Sequence, residues 1–149
     1  MIKIKTDDIV DLSLSGEFDI VIHCCNCFCT ETKGSSFDLF SFFQQAFLAD
    51  KRTVRGDVYK LGEYSNAIIK KDVAKAFTLY NLYCQFKPIN SFEYTAFGVG
   101  LRNIAENLKG IEKIGIAKPV EIYGVDFNII KSIVSREIGE FDVTIIVPL

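Results

Sequence analysis

One stretch of the chain, residues 19–36, restricts the fold more than any other, because an apolar strand pattern runs there into a polar loop and then a helix pattern. Residues 20–22 are a short β-branched run typical of a buried central strand. Polar side chains follow at 23–26, and small or hydroxylic residues precede the helical pattern that opens at Phe37. A loop that closes on a helix N-terminus directs backbone N–H groups at one point. The stretch therefore predicts an anion site, most often one for a phosphate.

Strand and helix patterns alternate along the rest of the chain. Strands are predicted at residues 2–5, 20–22, 64–69, 76–84, 113–117 and 141–147, and helices at 37–48, 92–108 and 126–138, with a turn at 7–10. Ser91 is the predicted cap of the second helix, and Gly110 and Gly139 are the predicted ends of the second and third. This order predicts an α/β fold in which a mixed, largely parallel sheet carries helices on both faces, as one domain over residues 1–149.

The composition is that of a compact globular protein. The 149 residues are 49% hydrophobic, with thirteen Phe and three Pro, which argues against disorder. No apolar run approaches the roughly eighteen residues that a membrane span needs, and residues 1–5 lack the apolar core of a signal peptide. We therefore expect a cytoplasmic protein with no membrane partner.

Charge and cysteine content narrow the class of partner. A net charge of −2 without a basic patch predicts a small-molecule ligand rather than a nucleic acid. Four of the five cysteines crowd residues 24–29, too close in sequence for a disulfide framework, so reduced thiols are expected. Strand alternation places Cys25, Cys27 and Cys29 on one side and Cys24 on the other, which disfavours zinc. We predict no metal site and assign these thiols to the core.

His23 and Asn26 are the candidate catalytic residues, because both follow the central strand. His23 is the one histidine of the chain, and it suits either acid–base chemistry or a hydrogen bond to a ribose or phosphate. It equally suits a core imidazole that is satisfied by the backbone. Asn26 offers the donor and the acceptor that a ribose diol needs, or else caps a turn.

Two loops are candidates for phosphate binding. The first is residues 31–36, in which Thr32, Lys33, Gly34 and Ser35 offer backbone groups, hydroxyls and a cation. The second follows a strand and precedes a helix, so it should face the first, and it consists of Val120, Glu121, Ile122, Tyr123 and Gly124. A solvated first loop without a ligand is the alternative.

Residues 53–62 form a turn-rich connection between the first helix pattern and the next strand. Asp57, Gly56 and Gly62 are expected to hold the turn. Arg55 and Lys60 are expected to be surface charges.

The run Ile22-His-Cys-Cys-Asn-Cys-Phe28, with a glycine-bearing loop and a helix behind it, resembles the signature of the macro domain family. The likeness is greatest to the branch of ADP-ribose 1''-phosphate phosphatases common in small phage and microbial proteins. Residues 53–62, 81–85 and 120–127 resemble further stretches of the family. The resemblance implies a three-layer α/β/α macro domain that binds ADP-ribose or a related nucleotide in a cleft between the two loops.

The resemblance also implies roles for individual residues. Asp8, beside Ile9, stands where macro domains place the aspartate that accepts from the adenine amino group, and its alternative role is a helix or turn cap. Asn26 and Tyr123 stand at the distal ribose. A phosphatase would need His23 and Asn26 near the terminal phosphate, with water as nucleophile and no cofactor. It would act in the host cytoplasm if a phage encodes it. The alternative is a catalytically inactive, divergent macro domain that binds another nucleotide signal or a protein partner, since Glu121 stands where the family has glycine. The oligomeric state is left open.

Overall fold

A six-stranded sheet forms the centre of the computed structural model, which describes residues 2–31, 34–89, 91–119 and 125–149. The strands are β1 (Ile2–Thr6), β2 (Ile20–Asn26), β3 (Tyr64–Ile69), β4 (Phe77–Gln85), β5 (Lys113–Ala117) and β6 (Asp142–Val147). They lie in the order β1-β6-β5-β2-β4-β3. β3 runs antiparallel to β4, and every other neighbouring pair is parallel. The predicted mixed, largely parallel sheet is confirmed.

Helices cover both faces of this sheet. They are α1 (Ile9–Leu14), α2 (Gly34–Phe42), α3 (Gln44–Lys51), α4 (Tyr94–Ala105) and α5 (Phe127–Ile138). On one face, apolar residues of α1, α2 and α3 pack against Val21 and Leu79. On the other, α4 and α5 pack against Ile22 and Leu82. Because adjacent residues of a strand point to opposite faces, the two cores share the same strands, and the predicted three-layer architecture is confirmed.

Two predictions on the first face were wrong. Residues 7–10 are not a turn, because α1 begins at Ile9; Asp8 caps this helix by accepting from the Asp11 N–H at 3.0 Å, which confirms the cap that was its alternative assignment. The single helix predicted at 37–48 is two helices, α2 and α3, separated by Phe43 in a non-helical conformation. The break turns the buried Phe43 ring edge-on to Phe77 of β4, with 5.4 Å between the ring centroids.

The second predicted helix is shorter than its pattern. Its cap position is Glu93, whereas the Ser91 hydroxyl donates to the Lys87 carbonyl at 2.6 Å. The helix ends at Ala105, before Gly110. The third predicted helix agrees with α5, which Asp126 caps by accepting from the Asn128 N–H.

Lys60 was wrongly predicted to be a surface charge. Its side chain is buried, and Nζ donates to the Cys27 carbonyl at 3.0 Å and lies 4.5 Å from the centroid of the Tyr83 ring. Lys60 therefore fixes the chain just beyond β2. Asp57 does hold the turn, as predicted, by accepting from the Tyr59 N–H.

The cysteines are free thiols that fill the core on both sides of the sheet. Cys25 and Cys27 lie in the core beneath α2 and α3, and Cys84 lies in the opposite core with Cys24 packed against it. Burial raises the pKa of the Cys27 thiol to about 11 and that of Cys25 well above its usual range. Within the described ranges, no helix has both the length and the hydropathy to cross a membrane.

Candidate functional site

A cleft follows the edge of the sheet at which the parallel strands end. Its larger cavity, about 270 Å³, lies between the first turn of α2 and the ends of β2, β4 and β5. Its smaller cavity, about 130 Å³, lies beside Asp8, Ile9 and the end of β6. Ser35 lines both cavities, so the two cavities are neighbours on either side of this residue. Ligands of α/β sheets bind at this edge.

The structure brings part of the predicted site together along this cleft. Asp8 and Ile9 lie at one end, Gly34 and Ser35 in the middle, and His23 on the floor of the larger cavity. Thr32 and Lys33 lie outside the described residues. The second predicted loop, from Val120 to Gly124, also lies outside them, so its position opposite the first loop stays a prediction. Lys118 and Pro119, which directly precede that loop, do line the larger cavity.

His23 is held by hydrogen bonds from both sides of its ring. It is completely buried, its Nε2 lies 2.6 Å from Oδ1 of Asn81, and its Nδ1 lies 2.8 Å from Oγ of Ser36. The amide group of Asn81 donates to the Ala46 carbonyl and to Oγ of Ser65, each at 3.0 Å. The Asn81 oxygen must therefore accept, which places the histidine proton on Nε2 and leaves Nδ1 as an acceptor.

The buried position of His23 also fixes its charge. Burial lowers the pKa of the imidazole to about 4, although the hydrogen bond to Asn81 opposes this shift. At neutral pH the ring is uncharged. The Ser36 hydroxyl has one hydrogen but two acceptors within reach, Nδ1 of His23 and the Cys24 carbonyl, each at 2.8 Å. His23 is thus a neutral acceptor beneath the first turn of α2.

Asn26 uses its side chain to build the turn that follows β2. Its Oδ1 accepts from the Phe28 N–H at 2.8 Å, and its Nδ2 donates to the Thr30 carbonyl at 3.0 Å. The residue is 2% exposed. Asn26 therefore forms the Asx-type turn that was its alternative assignment, and a role at a ribose stays a prediction.

Glu31 faces the cleft from the end of this turn and was not singled out from the sequence. One carboxyl oxygen accepts from the Asn26 N–H at 2.7 Å. Burial raises the pKa of Glu31 to about 7, against the effect of that hydrogen bond, and Asp50 raises it further. Glu31 and the neutral His23 line the same cavity. The first loop pattern contained Glu31, but no signal in the sequence indicated its burial.

Three further residues that line the cleft were not predicted from the sequence. Lys118 lines the larger cavity, and its Nζ lies 4.5 Å from the centroid of the Phe127 ring. Ile89 and Phe92 contribute an apolar wall. Within the part of the chain that the structure describes, no three His, Cys, Asp or Glu side chains converge to hold a metal ion.

The fold is that of the macrodomains. A macrodomain protein from Streptomyces coelicolor matches with a TM-score of 0.73 and 16% identity over 98% of both chains. The macrodomain of Thermus aquaticus DarG matches with a TM-score of 0.74 and 10% identity over 100% of this chain and 98% of that one. Thermosipho africanus DarTG, solved in complex with ADP-ribose, matches with a TM-score of 0.68 and 17% identity over 90% of this chain and 39% of that one.

At the level of sequence, no family model matches the chain. It is 40% identical over 97 residues to an uncharacterized 17.5 kDa protein from the tk-vs intergenic region of Enterobacteria phage T4. The match covers 64% of this chain and 61% of the phage protein.

Proposed function

We propose that the chain binds ADP-ribose, or a nucleotide closely related to it, in the cleft. The observation that carries this proposal is that Ser35 lines both cavities, which makes the cavity beside Asp8 a neighbour of the cavity above His23. A dinucleotide-like ligand is long, and it needs chemically different groups at its ends and its middle. The Thermosipho africanus protein, which has ADP-ribose bound in its structure, supports the proposal through its similar fold.

The parts of the cleft suit the parts of this ligand. Asp8 and Ile9 would take the adenine, because a carboxylate accepts from an exocyclic amino group. Gly34 and Ser35, in the first turn of α2, would take the diphosphate with Thr32 and Lys33, because helix N-termini favour anions. The loop of Val120, Glu121, Ile122, Tyr123 and Gly124 would close over the same diphosphate and the distal ribose.

A Ser35→Glu variant tests this arrangement. Ser35 lies where the two cavities meet, so a carboxylate there would stand beside the diphosphate. Two unit charges ~5 Å apart at an effective dielectric near 20 repel by about 3 kcal/mol, which corresponds to a loss of affinity on the order of a hundredfold. We expect calorimetric titration with ADP-ribose to show this loss.

The matched control is Ser41→Glu, which adds the same charge on the exposed side of α2. It should bind ADP-ribose like the wild type. If the Ser35→Glu variant binds ADP-ribose as tightly as the wild type, the ligand does not lie beside Ser35. If folded wild-type protein gives no binding heat at millimolar ADP-ribose, the proposal is wrong.

A second candidate function is hydrolysis of ADP-ribose 1''-phosphate in the same cleft. It is supported by two titratable groups that line one cavity with pKa values shifted in opposite directions, lowered for His23 and raised for Glu31. In this candidate His23 and Asn26 stand near the terminal phosphate, with water as nucleophile.

Release of inorganic phosphate from ADP-ribose 1''-phosphate measures this activity. A phosphatase gives release with wild-type protein and at most a small fraction of it with Ser35→Glu, whose cleft is blocked. If the wild type binds ADP-ribose but releases no phosphate, the cleft serves recognition alone. The engagement of Asn26 in its own turn favours this second outcome.

A further inference from the structure

The end of the cleft beyond α2 contains the carboxyl group of Glu31, which neighbouring residues hold in a fixed position. Glu31 contributes the one carboxyl group among the described residues that line the larger cavity. It is not a freely rotating surface acid, because one oxygen is tied to the Asn26 N–H at 2.7 Å. In residues 2–31, 34–89, 91–119 and 125–149, no donor is bonded to its second oxygen. The Glu31 side chain borders this cavity and also a second cavity of about 430 Å³ beside α2 and α3.

The turn formed by the Asn26 side chain determines the position of Glu31. The amide group of Asn26 is used by the Phe28 and Thr30 backbone, so it presents little polar surface to the cavity. The turn that Asn26 makes returns the chain so that Glu31 lies against the end of β2. Asn26 thereby acts as a positioning residue, and Glu31 is the side chain that faces the cavity.

The place of Glu31 along the cleft indicates which part of a ligand it meets. The Asp8 end and the Glu31 end are separated by Ser35 and the first turn of α2. A ligand with its base at Asp8 and its phosphates at α2 would extend its second sugar toward Glu31. The same cavity is also lined by Gln85, Ile89 and Phe92, a combination of polar and apolar surface that suits a sugar ring.

We propose that Glu31 is a ligand-contacting residue that binds the vicinal hydroxyl groups of the distal ribose with its carboxyl group in the protonated form. This inference rests on the proposed binding of ADP-ribose. A protonated carboxyl group offers one donor and one acceptor, which matches a pair of hydroxyls, whereas an ionised carboxylate can only accept and repels the nearby diphosphate.

Burial and Asp50 favour a protonated Glu31, whereas Lys118 and Lys51, which line the cavities that Glu31 borders, favour the ionised form. Asp50 of α3 acts on it as a like charge, and His23 on β2 is uncharged at neutral pH. Lys118 is the cationic side chain among the described residues that line the same cavity. Burial raises the pKa of Glu31 to about 7, so the protonated form is available near neutral pH.

Titration calorimetry with ADP-ribose and with ADP tests the inference, because ADP lacks the distal ribose. The proteins are the wild type, Glu31→Gln, Glu31→Leu and the control Glu63→Gln, in which Glu63 is exposed and does not line the cavity. Far-ultraviolet circular dichroism confirms that each is folded. ADP-ribose has no phosphate that titrates near neutral pH, so its pH dependence reports the protein.

We expect wild-type affinity for ADP-ribose to fall about tenfold or more between pH 6 and pH 8.5, as Glu31 ionises. The Glu31→Gln affinity should stay constant, because an amide keeps the donor and the acceptor. Glu31→Leu should lose about tenfold in affinity for ADP-ribose at pH 6 and keep its affinity for ADP. Glu63→Gln should behave like the wild type.

Three results would overturn the inference. A pH-independent wild type, or equal losses for ADP-ribose and ADP in Glu31→Leu, would show that Glu31 does not contact the second sugar, although the cleft still binds the nucleotide. If none of the folded proteins binds ADP-ribose, the proposed function and this inference fail together.

Discussion

Replacing Asn81 with leucine is expected to lower the free energy of unfolding by about 3–5 kcal/mol, because each buried polar group that loses its partner costs about 1–3 kcal/mol. Asn81 is completely buried and accepts from His23 while donating to Ala46 and Ser65. Leucine fills a similar volume but leaves the His23 Nε2–H and the Ala46 carbonyl unpaired in the core. Urea denaturation followed by circular dichroism measures the loss.

An Asn128→Leu variant is the control for this experiment. Asn128 is exposed in the first turn of α5, so the same chemical change there should alter stability by no more than about 0.5 kcal/mol. Equal stability of wild type and Asn81→Leu would mean that the hydrogen bonds around His23 contribute little to the fold.

The second large expected effect is on how the free energy of unfolding depends on pH. His23 and Glu31 change this free energy in opposite directions. The pKa of His23 is lowered from 6.5 to about 4, so between these values the unfolded state binds more protons and stability falls as the pH falls. The pKa of Glu31 is raised from 4.5 to about 7, so the folded state binds more protons and stability falls as the pH rises. The raised pKa of Asp50 acts in the same direction as that of Glu31. From about pH 4.5 to 6.5 the His23 and Glu31 contributions largely cancel.

The Glu31→Gln substitution should separate the two contributions. At about pH 7 the variant should be more stable than the wild type, because ionising a buried carboxyl no longer opposes folding. Its advantage should shrink by about 2 kcal/mol when the pH is lowered to about 5, since protons then neutralise Glu31 in the wild type. Urea denaturation at the two pH values measures this difference.

Glu63→Gln, at an exposed position, controls for the general loss of a negative charge. A stability difference between wild type and Glu31→Gln that does not change with pH would show that Glu31 titrates alike in the folded and unfolded states.

Local patterns were sufficient to predict the sheet and the α/β class. Residues 20–22 and 145–146 are apolar on both sides, as strands covered by helices must be. The break between α2 and α3 was not predictable in this way. Phe43 continues the apolar stripe of one long helix equally well, and its contact with Phe77, distant in sequence, determines the outcome.

The sequence indicated the edge of the sheet at which the cleft lies, whereas the roles of the individual site residues stay predictions. The resemblance located the end of β2 and the first turn of α2, and the structure brings Asp8, Gly34 and His23 to one cleft. The environment of Glu31 depends on how the Asn26 turn folds back, and Lys118 reaches the cavity from another strand. Such properties arise from contacts that no local spacing encodes.

The floor and the mouth of the cleft differ in how freely they can accept mutations. Ser36, His23 and Asn81 are joined in sequence by hydrogen bonds that continue through Ser65 and Tyr83 to Asp50. A change at any of these positions disturbs its neighbours, so the floor can diverge only by coordinated replacement. Side chains at the mouth, such as the exposed Ile89, take no part in this hydrogen-bond network. New ligand preferences would therefore accumulate at the mouth by single steps while the floor keeps its original form.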